Sequence, residues 1–402
     1  MEAVLREARP PQGSPAAGLY IHVPFCRKRC PFCDFAITTD LGKAQAWEEA
    51  VVMEMDLRAP AWAIPFDTVY FGGGTPSRVR PEVIGRLLEA ARARFAVAPD
   101  AEVTLEANPD DLGPRDLEQL REDGVDRLSI GIQSFHPEDL VFLGRTHSVE
   151  DSVRTFRDAR AAGFANISLD LLYGIPGSDR ERLVESIRRT AGLGPEHISA
   201  YQLTRESGTV MSHRMEKGEI DELTDAQAQE LFLFVREELA AAGFPQFEVS
   251  SYPRSPRFES RHNRKYWEGA PYLGLGPAAH SYRDPERSWN EAHIAQYLAS
   301  MAAGGDPVGG KEILAPEQRA MERIFLGLRM ARGLDLHAFE RDFGWDLRAA
   351  RRQEIGVIQE EGLAVMEEGR LRLTPRGLAL ADEIALRLSG PAPQCRVAGG
   401  EP

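Results

Sequence analysis

The hydrophobic pattern between residue 18 and about residue 203 alternates between two kinds of segment. Short runs rich in β-branched and aromatic residues predict six strands, over 18–23, 67–71, 101–107, 127–132, 165–172 and 197–203. Amphipathic stretches of helical period lie between them, and several end at a glycine suited to a helix C-cap. This alternation is typical of βα units around a parallel sheet, and six strands are enough for most of a barrel. Since no strand carries GxGxxG, a doubly wound dinucleotide-binding sheet is the weaker alternative.

The pattern changes after residue 250. Residues 250–310 are rich in Pro, Gly, Tyr and Trp and have little periodicity, which indicates a long loop or linking region. From Pro316 three helical stretches precede a hairpin turning at Glu367–Gly369 and a last helix, an order that resembles a winged-helix unit. The predicted fold is α/β: an incomplete (βα)6-type TIM barrel with a smaller C-terminal α+β winged-helix-like domain. The predicted division is an N-terminal arm, the partial barrel, a linking region, the C-terminal domain and a disordered tail, over 1–17, 18–250, 251–311, 312–389 and 390–402.

Polar residues follow the predicted strands at the points where they end. Cys26, Gly72–Thr75, Glu106, Gln133 and Asp170 all lie at or just after the C-terminal end of successive strands. Barrels build their active sites at this edge. We therefore expect these side chains to meet in one site.

Composition narrows the classes of partner. With 48 Lys and Arg against 62 Asp and Glu, the 402-residue chain has a formal net charge of −14, which opposes capture by nucleic acid or anionic lipid. The C-terminal helices carry mixed signs, so a winged-helix nucleic-acid-binding protein is a less favoured alternative. No apolar run approaches the roughly 20 residues of a membrane span or resembles a signal peptide, which predicts a cytoplasmic protein without a membrane span.

Three of the four cysteines lie within HVPFCRKRCPFCDF, residues 22–35. Cys26, Cys30 and Cys33 have C-x3-C-x2-C spacing, and soft thiolates at this spacing suit zinc or an iron–sulfur cluster. Zinc would need a fourth ligand, with His22, Cys395 or a more distant histidine as candidates. A cubane cluster normally takes four cysteines, so three leave one iron open to a small molecule.

The cysteine motif, with Phe32 before its last cysteine and YIHVPF ahead of it, resembles that of the radical S-adenosylmethionine (SAM) superfamily. In that superfamily the three cysteines hold a [4Fe–4S] cluster, and the open iron binds the amino and carboxylate groups of SAM. The resemblance implies a [4Fe–4S] cluster on Cys26, Cys30 and Cys33.

The resemblance also implies a set of cofactor contacts. The glycine loop YFGGGTPS follows the second strand and lacks the P-loop lysine of a nucleotide-triphosphate site, and its glycines allow backbone amides to approach a ligand. Glu106 and Asp170 lie in otherwise apolar strands, where an unpaired charge is costly. The implied SAM contacts are Tyr20, Phe32, Gly73, Gly74, Thr75, Glu106, Gln133, Arg145 and Asp170.

Nearly the whole chain looks like the coproporphyrinogen oxidase group, which has two branches. The oxygen-independent coproporphyrinogen III oxidases use a 5′-deoxyadenosyl radical to decarboxylate two propionates. Their motif continues as C-x3-C-x2-C-x-C, whereas Phe35 stands at the last position here, and they have a longer segment ahead of the first strand. The segment RHNRKYW matches the HNxxYW pattern of the other branch, the HemW-type haem chaperones, through His262, Asn263, Tyr266 and Trp267. This resemblance implies a protein that binds haem and passes it to haem proteins, with respiratory ones as the expected acceptors.

From the residues alone the HNxxYW segment has two interpretations. A neutral imidazole is a good axial ligand for iron, and Tyr266 with Trp267 would lie against the macrocycle. Alternatively, the two aromatic residues anchor a loop onto the barrel while His262 makes a local contact. With the resemblance we expect His262 to ligate or orient haem. His280 is a further haem contact or a packing residue. The sequence predicts no catalytic residue, leaves SAM cleavage open, and allows a monomer or a haem-dependent dimer.

Overall fold

A computed structural model describes residues 16–390 of the chain. Nearly all of the N-terminal arm, the tail after residue 390 and Cys395 lie outside the described residues.

One large sheet forms the centre of the protein. Its first six strands are parallel and lie side by side in chain order, which is the order of a barrel, and all six predicted strands are confirmed. The strands are β1 (Ala17–Val23), β2 (Pro65–Gly73), β3 (Ala96–Ala107), β4 (Arg127–Gln133), β5 (Ile167–Tyr173) and β6 (His197–Gln202). The sheet stays open, because β6 pairs with a further strand and not with β1, so the barrel is incomplete as predicted.

Helices connect the parallel strands. Their apolar sides pack on the outer face of the sheet in one core, while the inner face carries the polar side chains described below. The helices up to residue 241 are α1 (Ala44–Arg58), α2 (Pro81–Arg94), α3 (Pro114–Asp123), α4 (Pro137–Phe142), α5 (Val149–Ala161), α6 (Arg180–Leu193), α7 (Val210–Glu216) and α8 (Asp225–Ala241).

The long irregular segment predicted over residues 250–310 is wrong. This region adds strands to both edges of the sheet, giving the order β11-β10-β9-β8-β1-β2-β3-β4-β5-β6-β7. Most of these strands have only three to five residues, too few for a period to be visible in the sequence. The strands are β7 (Ser251–Pro253), β8 (Tyr272–Leu275), β9 (His280–Arg283), β10 (Glu286–Asn290) and β11 (Val308–Ile313). Two helices, α9 (Arg261–Glu268) and α10 (Ile294–Ala302), lie among them, and α9 carries the HNxxYW segment.

The C-terminal unit has its own apolar core, and Phe232 of α8 joins it. The predicted hairpin is confirmed, and a third strand completes a small sheet in the order β12-β14-β13. The strands are β12 (Leu334–Asp335), β13 (Ala364–Glu367) and β14 (Arg370–Leu373), and the helices are α11 (Pro316–Leu328), α12 (Leu336–Phe343), α13 (Leu347–Ala350), α14 (Arg352–Glu360), α15 (Pro375–Leu378) and α16 (Ala381–Leu388). Across residues 16–390, none of the helices combines the length and apolar character required to cross a bilayer.

Candidate functional site

The cysteine loop follows β1 at the C-terminal edge of the parallel strands. Cys26, Cys30 and Cys33 are all partly exposed and none forms a disulfide. Burial raises the pKa of the Cys26 and Cys33 thiols. The guanidinium of Arg29 stabilises the loop by donating to the carbonyl oxygens of Cys33, Phe35 and Ile37 at 3.2, 3.1 and 3.4 Å. The chain therefore presents three thiols on one braced loop.

The glycine loop at the end of β2 packs directly against the cysteine loop. A Cβ atom on Gly74 would lie 2.9 Å from the backbone of Pro24 and Val23, so only glycine permits this approach. The backbone of this loop lines the cavity described below, while its amides have acceptors within the protein. The amides of Gly73, Gly74 and Thr75 donate to Glu106 Oε2, the Val23 carbonyl and the Phe25 carbonyl at 3.2, 2.9 and 2.9 Å.

Arg145 and Gln133 complete the edge of the site. The Arg145 guanidinium lies 3.8 Å from Cys30 Sγ and donates to the Gly131 carbonyl at 3.1 Å and to Asn108 Oδ1. Gln133 ends β4 with a φ of 64°, a left-handed conformation that is unusual for a residue other than glycine. Its side chain lines the cavity described below.

Two buried carboxylates, Glu106 and Asp170, line the cavity described below. Glu106 accepts hydrogen bonds from the Tyr70 hydroxyl at 2.8 Å and from the Gly73 amide, and Asp170 accepts from Ser129 Oγ at 3.0 Å. Burial raises the pKa of Glu106 to about 7, and the negative charge of Asp170 adds to the rise. Burial also raises the pKa of Asp170.

One cavity of about 410 Å³ joins these groups. Its size lies within the range of small-molecule sites, which is about 300–1,000 Å³. Of the residues predicted from sequence, it is lined by Cys26, Cys30, Phe32, Cys33, Gly73, Gly74, Thr75, Glu106, Gln133, Arg145, Asp170 and Asn263. The structure thus brings together every predicted cluster ligand and all but one of the predicted SAM contacts.

Tyr20 is the exception. It stacks on Tyr70, with ring centroids 6.1 Å apart, and does not line the cavity. Its hydroxyl lies 3.2 Å from His22 Nδ1, and the other ring nitrogen of His22 lies 3.0 Å from the Ala36 carbonyl. Because a carbonyl only accepts, His22 Nε2 carries the hydrogen and Tyr20 donates to Nδ1. His22 therefore ties β1 to the chain after Cys33.

Several cavity residues were not predicted. The sequence signal for them is a period of two, since polar residues recur at alternate positions of the strands and so share one face. They include Tyr70 on β2, Arg127 and Ser129 on β4, and Ser199 and Tyr201 on β6. Asn108, just after β3, also lines the cavity.

His262 lies at the opposite end of the barrel from the cysteines, and its side chain is 1% exposed. Its Nδ1 lies 2.8 Å from Thr68 Oγ1 and its Nε2 lies 2.9 Å from the Tyr266 hydroxyl. Burial lowers its pKa to about 3, so the ring is neutral. This geometry contradicts the expectation that His262 ligates haem iron, because neither ring nitrogen is available.

The other predicted haem contacts are dispersed. Asn263 reaches the main cavity, whereas Tyr266 lines a separate cavity of about 270 Å³ and Trp267 lines one of about 330 Å³ beside the C-terminal unit. Arg329 lies 5.5 Å from the centre of the Trp267 ring. His280 is exposed and stacks on Trp289. The HNxxYW residues therefore do not form one haem-sized face.

The donor set fits a [4Fe–4S] cluster with one open iron. In the part of the chain that the structure describes, no three His, Cys, Asp or Glu side chains are placed to hold a single metal ion. In a cubane each thiolate binds a different iron, which requires wider spacing than ligation of a single ion. The cavity beside the thiols offers Gln133 and the carboxylates of Glu106 and Asp170 to a polar cationic ligand.

Comparison with known proteins identifies two matching regions. Residues 20–190 match the model of the radical SAM superfamily, and residues 314–380 match that of the HemN C-terminal domain.

Relatives match over nearly the full chain. "Heme chaperone HemW" of Mycobacterium tuberculosis is 38% identical over 378 residues, which cover 93% of this chain and 95% of the relative. The protein of the same name from Bacillus subtilis is 33% identical and covers 91% of this chain and 97% of its own length. "Radical S-adenosyl methionine domain-containing protein 1, mitochondrial" of Bos taurus is 32% identical, covering 94% and 88%.

Among solved structures, coproporphyrinogen III oxidase (HemN) from Escherichia coli superposes with a TM-score of 0.81 at 23% identity, covering 94% of this chain and 90% of that protein. The likeness confirms the fold. The chain therefore belongs to the radical SAM superfamily, in the HemN-like group and on its HemW branch.

Proposed function

We propose that this protein is a haem chaperone that carries a [4Fe–4S] cluster and SAM. The observation that supports the cofactor assignment best is the meeting of the three thiols with Glu106, Gln133 and Arg145 around one cavity. Cys26, Cys30 and Cys33 would hold the cluster, and the cavity residues would bind and orient SAM. Together these groups supply one-electron chemistry when bound. Haem as cargo is supported by the name HemW shared by relatives that match almost the whole chain.

We propose that haem binds at the mouth of the cavity. Phe35 lines the cavity and is 60% exposed, and Lys28 lines the same cavity, is exposed, and forms no ion pair with any described residue. An apolar macrocycle would cover the Phe35 ring, and an anionic propionate would pair with the Lys28 ammonium. The acceptors would be haem proteins, with respiratory haem proteins as the first candidates. The chaperone itself would act in the cytoplasm.

Haem titration of anaerobically reconstituted variants tests this location. Replacing Phe35 with serine removes an apolar contact worth about 1.5–3 kcal/mol when fully buried, so we expect about tenfold or more weaker haem binding. Lys28→Glu should also weaken binding. Leu386→Ser is the matched control, since Leu386 is 62% exposed in the C-terminal unit. His262→Ala should leave haem affinity unchanged.

The opposite pattern would place haem at α9. Loss of binding in His262→Ala together with unchanged binding in Phe35→Ser would contradict the proposed location. The alternative activity is tested on the same wild-type protein by assaying coproporphyrinogen III. Efficient conversion to protoporphyrinogen IX would replace the chaperone assignment with that of an oxidase.

The SAM site predicts a pH dependence of binding. Glu106 has a pKa of about 7, so its carboxylate gains a proton and loses its charge as the pH falls through that value. We expect wild-type affinity for cationic SAM to fall below pH 7, by up to about tenfold per pH unit. Equilibrium dialysis of SAM between pH 6 and 9 measures this.

Glu106→Gln serves as the control, because it removes the titrating group and keeps the volume. It should bind more weakly at pH 8 and show a flatter profile. The ligand's own amino group titrates equally in both proteins, so the difference between the curves isolates Glu106. Parallel curves would contradict the prediction.

A further inference from the structure

Arg127 is a buried cation that no contact from the described residues neutralises. It is the first residue of β4, is 1% exposed, and lines the cavity with its side chain. Its Nε atom is buried and has no hydrogen-bond partner, and no ion pair joins it to a carboxylate of the described residues. Burying a charge without a partner is costly, so this arginine requires a physical explanation.

The carboxylates around Arg127 supply that explanation. Glu102 and Glu106 on β3 and Asp170 on β5 all feel its positive charge, which opposes the rise that burial imposes on the pKa of each. Neutral donors fix these carboxylates in place: the Tyr70 hydroxyl holds Glu106, and Ser129 Oγ holds Asp170. Arg127 therefore acts on them through space, in an interior where the dielectric constant is low and charges interact strongly.

The other titratable groups around Arg127 and the three carboxylates are uncharged or lie at the edge of this cluster. Burial raises the pKa of the tyrosines and lowers that of the histidines, so both kinds stay uncharged between pH 6 and 9. The groups that face the three carboxylates and Arg127 are Tyr20 on β1, Tyr70 on β2, His197 and Tyr201 on β6, and His262 and Tyr266 on α9. At the margins lie Asp126 and Arg261 beside Glu102, Glu248 beside Tyr201, and Arg145 at the cavity edge.

We propose that Arg127 is a positioning residue that keeps Glu106 and Asp170 negatively charged, and that it thereby sets the affinity of the cavity for a cationic ligand. This inference rests on the proposed SAM site. Arg127 has two opposing effects on such a ligand. It repels the ligand's positive charge directly, and it preserves the two carboxylates that attract that charge. The second effect matters only where the carboxylates would otherwise take up protons.

The two effects predict binding curves that cross. In cluster-loaded Arg127→Gln, SAM affinity at pH 6 should be about tenfold or more below that of the wild type, for a shift of one pKa unit or more in the carboxylates. At pH 9, where the carboxylates are ionised in both proteins, the variant should bind as tightly or more tightly. Arg127→Lys should restore the wild-type curve. The affinity for S-adenosylhomocysteine, which lacks the sulfonium charge, should differ less between the wild type and Arg127→Gln.

A residue that only supports the fold would weaken binding at every pH, and that parallel loss would overturn the proposal, as would coincident curves. If Arg127→Gln does not fold, Glu102→Gln tests the same electrostatic effect on the other two carboxylates. It removes a negative charge where Arg127→Gln removes a positive one, so the pKa of those carboxylates should change in the opposite direction. Removing one negative charge should move the pH at which SAM affinity falls to a lower value, and an upward or absent shift would overturn the proposal.

Infrared titration of the carboxyl groups separates this inference from the proposed function. The band assigned by difference with Glu106→Gln should titrate at a higher pH in Arg127→Gln than in the wild type, whether or not SAM binds. If the band shifts in Arg127→Gln but the wild-type protein binds no SAM, the proposed SAM site alone is contradicted. If SAM binds but the band does not shift in Arg127→Gln, the inference about Arg127 alone is contradicted.

Discussion

Replacing Cys30 with alanine is expected to abolish retention of the iron–sulfur cluster. Only three thiols are presented on the loop, so the variant would hold a cubane through two, with two irons uncovered. Loss of a residue that merely supports a metal ligand costs about 10–100-fold in metal affinity, and loss of a ligand should cost at least as much. Iron and acid-labile sulfide per chain, measured after anaerobic reconstitution, give the result.

Cys395→Ser is the matched control for that variant. It removes the fourth cysteine of the chain, which lies outside the C-x3-C-x2-C motif and would not be a cluster ligand, and it should leave iron and sulfide unchanged. The wild-type cluster should also change its electron paramagnetic resonance spectrum when SAM is added, because the cofactor would bind the open iron. Full iron content in Cys30→Ala, zinc in the wild type, or a spectrum indifferent to SAM would each contradict the cluster assignment.

The fold could be predicted from the sequence where the helices and strands are long enough to show a hydrophobic period. The six parallel strands alternate with helices of two turns or more, so hydrophobic period alone locates them. The strands after residue 250 are of a different kind. β8 has four residues, too few to display a period, and it joins the sheet by pairing with β1, about 250 residues earlier in the chain. Such pairing depends on tertiary contacts that local sequence does not encode.

The site was predictable where chemistry and strand ends coincide. Cys26 just after β1 and Glu106 near the end of β3 are polar residues at strand ends, and they meet because parallel strands end at one edge. Asp170 reaches the same cavity from the middle of β5, and not from its end as predicted. Arg127 was missed because it begins its strand and lies deeper in the barrel, although Arg127, Ser129 and Gln133 are polar and lie on one face of β4, with Gly131 between the last two. A search for period-two polar residues within predicted barrel strands would have found it.

The sequence pattern did not predict where the HNxxYW side chains lie. In α9, residues 262 and 266 are one turn apart and touch each other, whereas 263 and 267 face other directions. Which face of α9 meets the barrel depends on packing against β1 and β2, where Gly18 makes room for the His262 ring. The sequence gives no sign of this contact, so a buried histidine resembles an available ligand.

A second large effect is expected on stability, from Glu54. This side chain of α1 is completely buried and accepts hydrogen bonds from the Gly276 amide at 2.9 Å, Asn290 Nδ2 at 2.7 Å and the Tyr297 hydroxyl at 2.9 Å. One carboxylate thus ties α1 to the β8–β9 connection, to β10 and to α10. Gly276 also lies against the backbone of His22, so the same junction supports the strand that leads into the cysteine loop.

Glu54→Ala would leave the Gly276 amide and the Tyr297 hydroxyl without their acceptor, while Asn290 Nδ2 would keep only its bond to the Gly276 carbonyl. An unsatisfied buried group costs about 1–3 kcal/mol, so we expect the free energy of unfolding to fall by about 3 kcal/mol or more. That is a large share of a typical total of about 5–15 kcal/mol. Urea unfolding, followed by far-ultraviolet circular dichroism, measures the loss.

Glu49→Ala on the exposed side of α1 is the control and should change stability by less than about 0.5 kcal/mol. Glu54→Gln retains one acceptor oxygen and should lie between them, because only part of the hydrogen-bonding is lost. Equal stability of the Glu54→Ala and Glu49→Ala proteins would mean that the added strands are held by apolar packing and not by this carboxylate.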